Sequence, residues 1–175
     1  MFSLKKAQGA LEFLMTYGWA FLVILIMIGA LAYFGVLSPN KFLPERCNFG
    51  SQFLCKDYQM STTEVTLRLQ NNLGQAALIL DTDATSITSP EGFTCSVEIW
   101  NSDESSQIGS TGTGTGTAVS DGAYFIVKGT GCTGGGIVEG SKYKVSIDLS
   151  YFAATSDENF AHTIQGELFS NVESS

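Results

Sequence analysis

Residues 11–37 form an almost unbroken apolar run, in which Glu12 is the only charged residue. The run reads LEFLMTYGWAFLVILIMIGALAYFGVL. Its length predicts either a membrane-spanning helix or the core helix of a large helical protein. Lys5 and Lys6 precede it, and basic residues collect on the cytoplasmic side of a membrane. We therefore expect the rest of the chain to lie outside the cell.

The run differs from the apolar core of an ordinary secretory signal, which has about 7–15 apolar residues and ends at a cleavage site of small residues. Here the run is longer and continues into Ser38 and Pro39 without an Ala-x-Ala site. Hydropathy alone is typical of a signal anchor, a single helix that tethers an external domain.

The order of residues around the start of the run is more specific. Two basic residues and a small residue precede a glutamine, and an acid follows the glutamine by four positions: Lys5, Lys6, Ala7, Gln8 and Glu12. This arrangement resembles the class III signal peptide of archaeal type IV pilins and archaellins. The continuation MTYGWA, residues 15–20, is also similar to the archaeal pilin segment. The resemblance covers residues 1–37 only.

The resemblance implies that a prepilin peptidase cuts between Ala7 and Gln8, on the cytoplasmic side of the membrane. Residues 1–7 are then a cleaved leader, and residues 8–37 are a helix that remains on the mature protein. In this family the Glu12 carboxylate pairs with an amine in the apolar filament core, cleavage having created a new amine on Gln8. The alternative role for Glu12 is that of a first-turn acid, which the helix macrodipole stabilises by about 0.3–1 kcal/mol.

We expect the apolar helix to require lipid or protein contacts on every side. As a helix, residues 8–37 would span about 45 Å, against roughly 30 Å for the hydrocarbon layer of a membrane. Because the run is apolar on every face, it has no single stripe for packing on its own domain. It must be surrounded by lipid and later by copies of itself. Six aromatic residues would provide large contact surfaces: Phe13, Tyr17, Trp19, Phe21, Tyr33 and Phe34.

The remaining residues, 38–175, are predicted to form one extracellular domain. They contain 16 Asp and Glu against 7 Lys and Arg, a net charge of −9, which argues against nucleic acid or anionic lipid as a partner. Polar and apolar residues alternate with period two in several segments, which predicts strands: residues 63–70, 93–100 and 142–151. Further strands are expected at 75–80, 124–128 and 159–169, the last with Ile164 and Leu168 inward.

These patterns predict an α+β chain: the long apolar helix, followed by an all-β, Ig-like β-sandwich domain, with a barrel as the alternative. Two segments of low complexity, residues 109–117 and 129–136, are predicted to be loops. Neither glycine-rich segment opens a helix, so neither predicts a phosphate site.

Four cysteines lie in the outer region: Cys47, Cys55, Cys95 and Cys132. An even number in an extracellular protein predicts disulfides, for which three connectivities exist. We predict Cys47–Cys55, which would pin the start of the domain, and Cys95–Cys132. The spacing does not suit zinc, and Asp81 with Asp83 falls far short of a calcium site. The single histidine, His162, is expected to be structural.

No catalytic constellation emerges, so we expect no enzyme activity, cofactor or metal. The sequence predicts a structural subunit of an archaeal type IV pilus-like filament for adhesion or motility. It would be inserted in the cytoplasmic membrane before assembly, and its partners would be copies of itself, the peptidase and the assembly machinery. The alternative is a membrane-anchored binding module, an adhesin or a minor or tip pilin outside the filament shaft.

Overall fold

A computed structural model describes residues 4–35, 43–74, 77–89, 92–110 and 116–174. For residues 4–8 and 10 it describes the backbone alone. The chain divides into two units, residues 1–43 and 44–175, which we describe separately. Among the described residues, the first unit contains one helix, α1 (Leu4–Tyr33). Those of the second form a short 3₁₀ turn and eight strands: β1 (Arg46–Asn48), β2 (Phe53–Met60), β3 (Val65–Asn71), β4 (Leu78–Thr88), β5 (Thr94–Asn101), β6 (Tyr124–Thr133), β7 (Lys142–Ala153) and β8 (His162–Asn171).

Helix α1 includes most of residues 8–37, the helix expected on the mature protein, and also part of the predicted leader. It begins at Leu4, because the residues from Leu4 to Gln8 favour helix and include no breaker. It ends at Tyr33 rather than Leu37. Gly35 has a φ of 70°, a left-handed conformation that terminates helices, and its N–H donates to the carbonyl of Ala32 at 3.1 Å. Residues 36 and 37 lie outside the described residues.

The eight strands form one antiparallel sheet in the order β1-β8-β7-β4-β5-β6-β3-β2. Strands β4 and β5 are joined through a single residue pair, Thr88 with Thr94, whereas the other neighbours pair over three residues or more. The sheet therefore consists of two four-stranded halves, β1-β8-β7-β4 and β5-β6-β3-β2. The expectation of an all-β domain after an apolar helix is confirmed.

The two outer edges of the sheet approach each other. Isolated bridges join Phe49, which follows β1, to Phe53 of β2, and Ser61, which follows β2, to Glu173, which follows β8. The domain is consequently close to a closed barrel, and an Ig-like sandwich of two separate sheets is not confirmed. Near-closure leaves few unpaired strand edges, which protects the domain from edge-to-edge association.

The core fills the space between the two halves. Phe53 of β2 makes edge-to-face contacts with Phe125 of β6, at 5.6 Å between ring centroids, and with Tyr151 of β7, at 5.4 Å. Strand β2 therefore contacts both halves through one ring. Many of the other buried side chains come from alternate positions of the strands: Val65, Leu67, Leu69, Leu80, Ile87, Ile99, Val127, Val145, Ile147, Leu149 and Leu168.

Strands β1 and β2 were missed by the sequence analysis. The register of β2 shifts between Cys55 and Asp57, so inward and outward positions do not alternate along the strand. The bulge removes the period-two pattern by which strands are predicted. Strand β4 is also longer than expected, and it too contains a register shift, between Asp81 and Ser86.

The prediction that residues 129–136 are a loop is wrong for their first half, because β6 continues to Thr133 and pairs with β5. Gly129 is buried there, and a β-carbon on it would lie 2.8 Å from Ile87 Cδ1 and 3.0 Å from Cys95 Cβ. The glycine thus permits close packing inside a strand.

In the other low-complexity segment, Ser110 is buried and its N–H donates to the carbonyl of Leu80 at 2.7 Å. Residues 111–115 lie outside the described residues. The last strand begins at His162 rather than at residue 159, since Glu158–Phe160 forms the 3₁₀ turn that Asp157 caps.

Candidate functional site

The surface of α1 is apolar and exposed around its whole circumference. Residues 22–28 are seven consecutive large apolar residues, and each is between 39% and 62% exposed. Seven residues cover nearly two turns of an α-helix, so these side chains point in every direction. Of the described helices, only α1 is long and apolar enough to cross a membrane, over residues 11–33 with a mean hydropathy of 2.2. Such a segment is suited to a membrane anchor or a signal sequence.

The predicted aromatic contact residues lie on this exposed surface. The rings of Phe13 and Tyr17, one turn apart, are in tilted contact at 4.6 Å between centroids, and Trp19 and Phe21 are 68% and 67% exposed. Tyr33 and Phe34 meet edge to face at 5.7 Å at the carboxyl end of the helix. Large rings left exposed in this way offer contact area to lipid or to another helix.

The residues of the predicted cleavage site all lie within α1. Lys5, Lys6, Ala7 and Gln8 fall in its first two turns, and the backbone between Ala7 and Gln8 is helical. Two basic residues at a helix N-terminus interact unfavourably with the macrodipole, and no acid occupies the first turn. Removal of residues 1–7 would eliminate that unfavourable interaction and bring Glu12 close to the new N-terminus.

Glu12 lies one helical turn after Gln8 and is exposed. Its backbone carbonyl accepts a hydrogen bond from Thr16 Oγ1 at 2.8 Å. In the described part of the chain its carboxylate forms no ion pair. A carboxylate in an apolar span is costly without a partner. The described residues of the single chain provide no such charged partner for Glu12.

Two disulfides join Cys47 to Cys55 and Cys95 to Cys132, the pairing favoured in the sequence analysis. The first connects β1 to β2 across the near-closure of the sheet. The second connects the neighbouring strands β5 and β6. Disulfides persist in oxidising compartments, which suits an extracellular location for the domain.

The outer domain carries an open, polar groove of about 420 Å³. Three carboxylates and a guanidinium are among its lining groups, from Asp57, Glu104, Glu173 and Arg68. Arg68 lies over the ring of Tyr124, with 5.2 Å between Cζ and the ring centroid. Burial, followed by the negative charges of Glu45 and Asp57, raises the pKa of the Tyr58 hydroxyl at the edge of this groove. No local sequence pattern indicates this groove, since its residues come from distant segments.

The other polar residues considered in the sequence analysis have structural contacts. Asp81 Oδ1 accepts the N–H groups of Asp83 and Ala84, at 3.0 and 3.2 Å, so this carboxylate caps a turn. The His162 ring lies 5.8 Å from the Tyr151 ring. No group of three His, Cys, Asp or Glu side chains suited to a metal ion occurs among the residues that the structure describes.

No protein-family model matches the chain, and no curated protein matches it significantly.

Proposed function

We propose that this chain is a structural subunit of an archaeal type IV pilus-like surface filament, in which it polymerises through α1. The subunit is held in the cytoplasmic membrane before assembly and has no catalytic role. The observation that carries the proposal is the exposed apolar surface around the whole helix, following a Lys-Lys-Ala-Gln sequence with Glu12 four positions later. A surface of that kind is stable only when lipid or other helices cover it on all sides.

In this proposal, Glu12 sets the register between neighbouring subunits during assembly. After cleavage, its carboxylate pairs with the amine that cleavage creates on Gln8 of a neighbouring subunit. A buried charge without such a partner costs several kcal/mol. A subunit out of register would therefore be rejected, although its apolar contacts would be nearly as extensive.

We propose that the outer domain is a two-layer β-sandwich that is closed at one side. The single pair between Thr88 and Thr94 supports this description, because the two four-stranded halves are scarcely bonded to each other there. The contacts of Phe53 with residues of both halves also resemble the packing between two sheets. Acidic side chains on the outside keep such a domain soluble around a filament core.

Electron microscopy of filaments sheared from cells, followed by mass spectrometry of their N-termini, tests the proposal. We expect filaments that contain this chain with Gln8 as the first residue. Surface material with an intact Met1, or cut after Ser38, would contradict it. Lys6→Ala with Lys5→Ala should prevent processing, while Lys56→Ala with Lys128→Ala, which also removes two charges, should leave it unchanged.

The second candidate function is a membrane-anchored binding module, and the open groove around Arg68 favours it. Such a module would remain in the membrane, where α1 would be covered by lipid rather than by copies of itself. Chemical crosslinking through α1 separates the two functions. A ladder of multimers from intact cells supports the filament subunit, whereas monomers that stay with the membrane after shearing support the binding module.

A further inference from the structure

The first strand of the outer domain is the shortest strand of the sheet. The second unit starts at residue 44, and β1 follows at once with three residues, Arg46–Asn48. Strand β1 pairs with β8 alone, through Arg46 with Phe169, Cys47 with Leu168 and Asn48 with Glu167. Any tension that reaches the domain from the helix side must pass through this three-residue strand first.

The pairing of β1 with β8 resists such tension poorly. The two strands are antiparallel, so the start of β1 lies beside the end of β8, with Arg46 opposite Phe169. Pulling apart two adjacent ends of an antiparallel pair loads its hydrogen bonds one after another, because these bonds lie perpendicular to the strands. Strand β1 would therefore peel away from β8 under low force, and Phe49, which is buried just behind it, would follow.

The Cys47–Cys55 disulfide provides a shorter route for the force. Cys47 is the middle residue of β1, and its partner lies eight positions later in β2, with 5.9 Å between the two Cα atoms. Strand β2 pairs with β3 through seven residue pairs, from Phe53 with Asn71 to Met60 with Val65. Tension carried across the disulfide thus reaches β2 directly, and residues 48–54 bear none of it.

We propose that the Cys47–Cys55 disulfide is a mechanical clamp, which transfers tension from the helix side of the chain to the β2–β3 pair and prevents β1 from peeling off. This role is separate from any contribution to folding stability. It also goes beyond the filament proposal, since it can be measured on single molecules whether or not filaments form.

Force spectroscopy on the full chain in a detergent micelle tests the clamp. The handles are attached to short peptide tags, one inserted after residue 38 and one at the C-terminus. Three chains are compared: the oxidised wild type, the double variant Cys47→Ser with Cys55→Ser, and the matched double variant Cys95→Ser with Cys132→Ser. The matched variant loses a disulfide that joins two neighbouring inner strands and lies off the proposed route.

We expect the first double variant alone to show an early, low-force step before the domain unfolds. Cys47 and Cys55 are separated by eight positions in the sequence and by 5.9 Å between their Cα atoms. Eight positions extend to roughly 26–29 Å, so the step should lengthen the chain by about 20 Å. Reductant added to a tethered, folded Cys95→Ser, Cys132→Ser chain should produce the same step, which covers the case in which the first variant does not fold. Traces without the step after loss of the disulfide, or an oxidised wild type that already shows it, would overturn the proposal.

Discussion

The ring of Phe49 lies against the backbone of Gly166 in β8, so closely that a β-carbon on residue 166 would be 2.2 Å from Phe49 Cε1. Both residues are buried, and Phe49 directly follows β1. The absence of a side chain at residue 166 therefore makes room for the aromatic ring that packs the start of the domain onto the last strand.

We expect Gly166→Ala to destabilise the domain by about 1–3 kcal/mol, because the added methyl group collides with the Phe49 ring. Phe49→Leu should relieve this collision, so Gly166→Ala should cost less in a Phe49→Leu background than in the wild type. Urea denaturation of the four chains of this double-mutant cycle measures the coupling. Strictly additive effects would show that the ring and the backbone do not press on each other.

Asn71→Ala should destabilise the domain by about 1–3 kcal/mol, since it removes two hydrogen bonds of a buried side chain and leaves the half-buried Leu73 N–H without its partner, whereas the Val119 carbonyl keeps the N–H of Leu78. Asn71 is completely buried; its Nδ2 donates to the Val119 carbonyl at 3.2 Å, and its Oδ1 accepts the Leu73 N–H at 3.1 Å. Asn72→Ala is the matched control, because Asn72 is exposed and its side chain donates one hydrogen bond, to the Ser51 carbonyl at 2.9 Å. Thermal unfolding measures the stability of the two variants. Equal losses of stability in both would contradict the role that we assign to the burial of Asn71.

Glu167→Gln should reduce stability at neutral pH by less than about 1 kcal/mol, because the ion pairs of Glu167 are partly exposed. Lys144 Nζ lies 2.6 Å from Glu167 Oε1, and Arg46 lies 3.6 Å from Oε2. The hydrogen bond from Lys144, together with the charges of Lys144 and Arg46, lowers the pKa of Glu167 in the folded state.

A lowered folded pKa contributes stability above the unfolded pKa of about 4.3, and this contribution is lost as the pH falls through the folded pKa. The difference between wild type and Glu167→Gln should therefore be present at pH 7 and vanish as the pH falls below the folded pKa. Glu139→Gln, in an exposed turn, is the control for the loss of one surface carboxylate. A difference that persists unchanged in acid would refute the electrostatic explanation.

Glu12→Ala should still allow insertion into the membrane, since it removes the one charge of the apolar run, but it should reduce the number of filaments. The amine on Gln8 would then enter the filament core unpaired, at a cost of several kcal/mol per subunit. Thr16→Ala is the control, because it removes a polar group one turn away and keeps the carboxylate. Filaments and membrane-held protein are counted in both strains. Normal filaments from Glu12→Ala would mean that the carboxylate is only a helix-end acid.

A chain of residues 38–175 should be folded, soluble and monomeric, because the large apolar surface lies in α1 and the outer domain has a core of its own. Analytical ultracentrifugation measures the mass, and circular dichroism confirms the strand content. The full chain in the same buffer without detergent should sediment as aggregates. A stable oligomer of residues 38–175 would place part of the assembly surface in the outer domain.

The predictions from sequence succeeded where the signal is local. Helix α1 is apolar without interruption over residues 17–33, and buried and less buried residues alternate with period two along β3 and in β7 from Val145 to Leu149, as expected. In these segments each residue's environment follows from its nearest neighbours in the chain, so hydropathy alone indicates the element. The apolar helix, the all-β domain and the acidic exterior were determined at this level.

Tertiary structure decided what depends on distant residues. Strand β2 has a bulge at Cys55, which hides its alternation of inward and outward residues. Strand β6 continues through glycines because Gly129 packs closely against Ile87 and Cys95. The Phe49 ring requires a residue without a side chain at position 166. The near-closure of the sheet depends on bridges between Phe49 and Phe53 and between Ser61 and Glu173. Contacts of this kind arise only when strands from different parts of the chain are paired, and a local pattern carries no information about which strands those are.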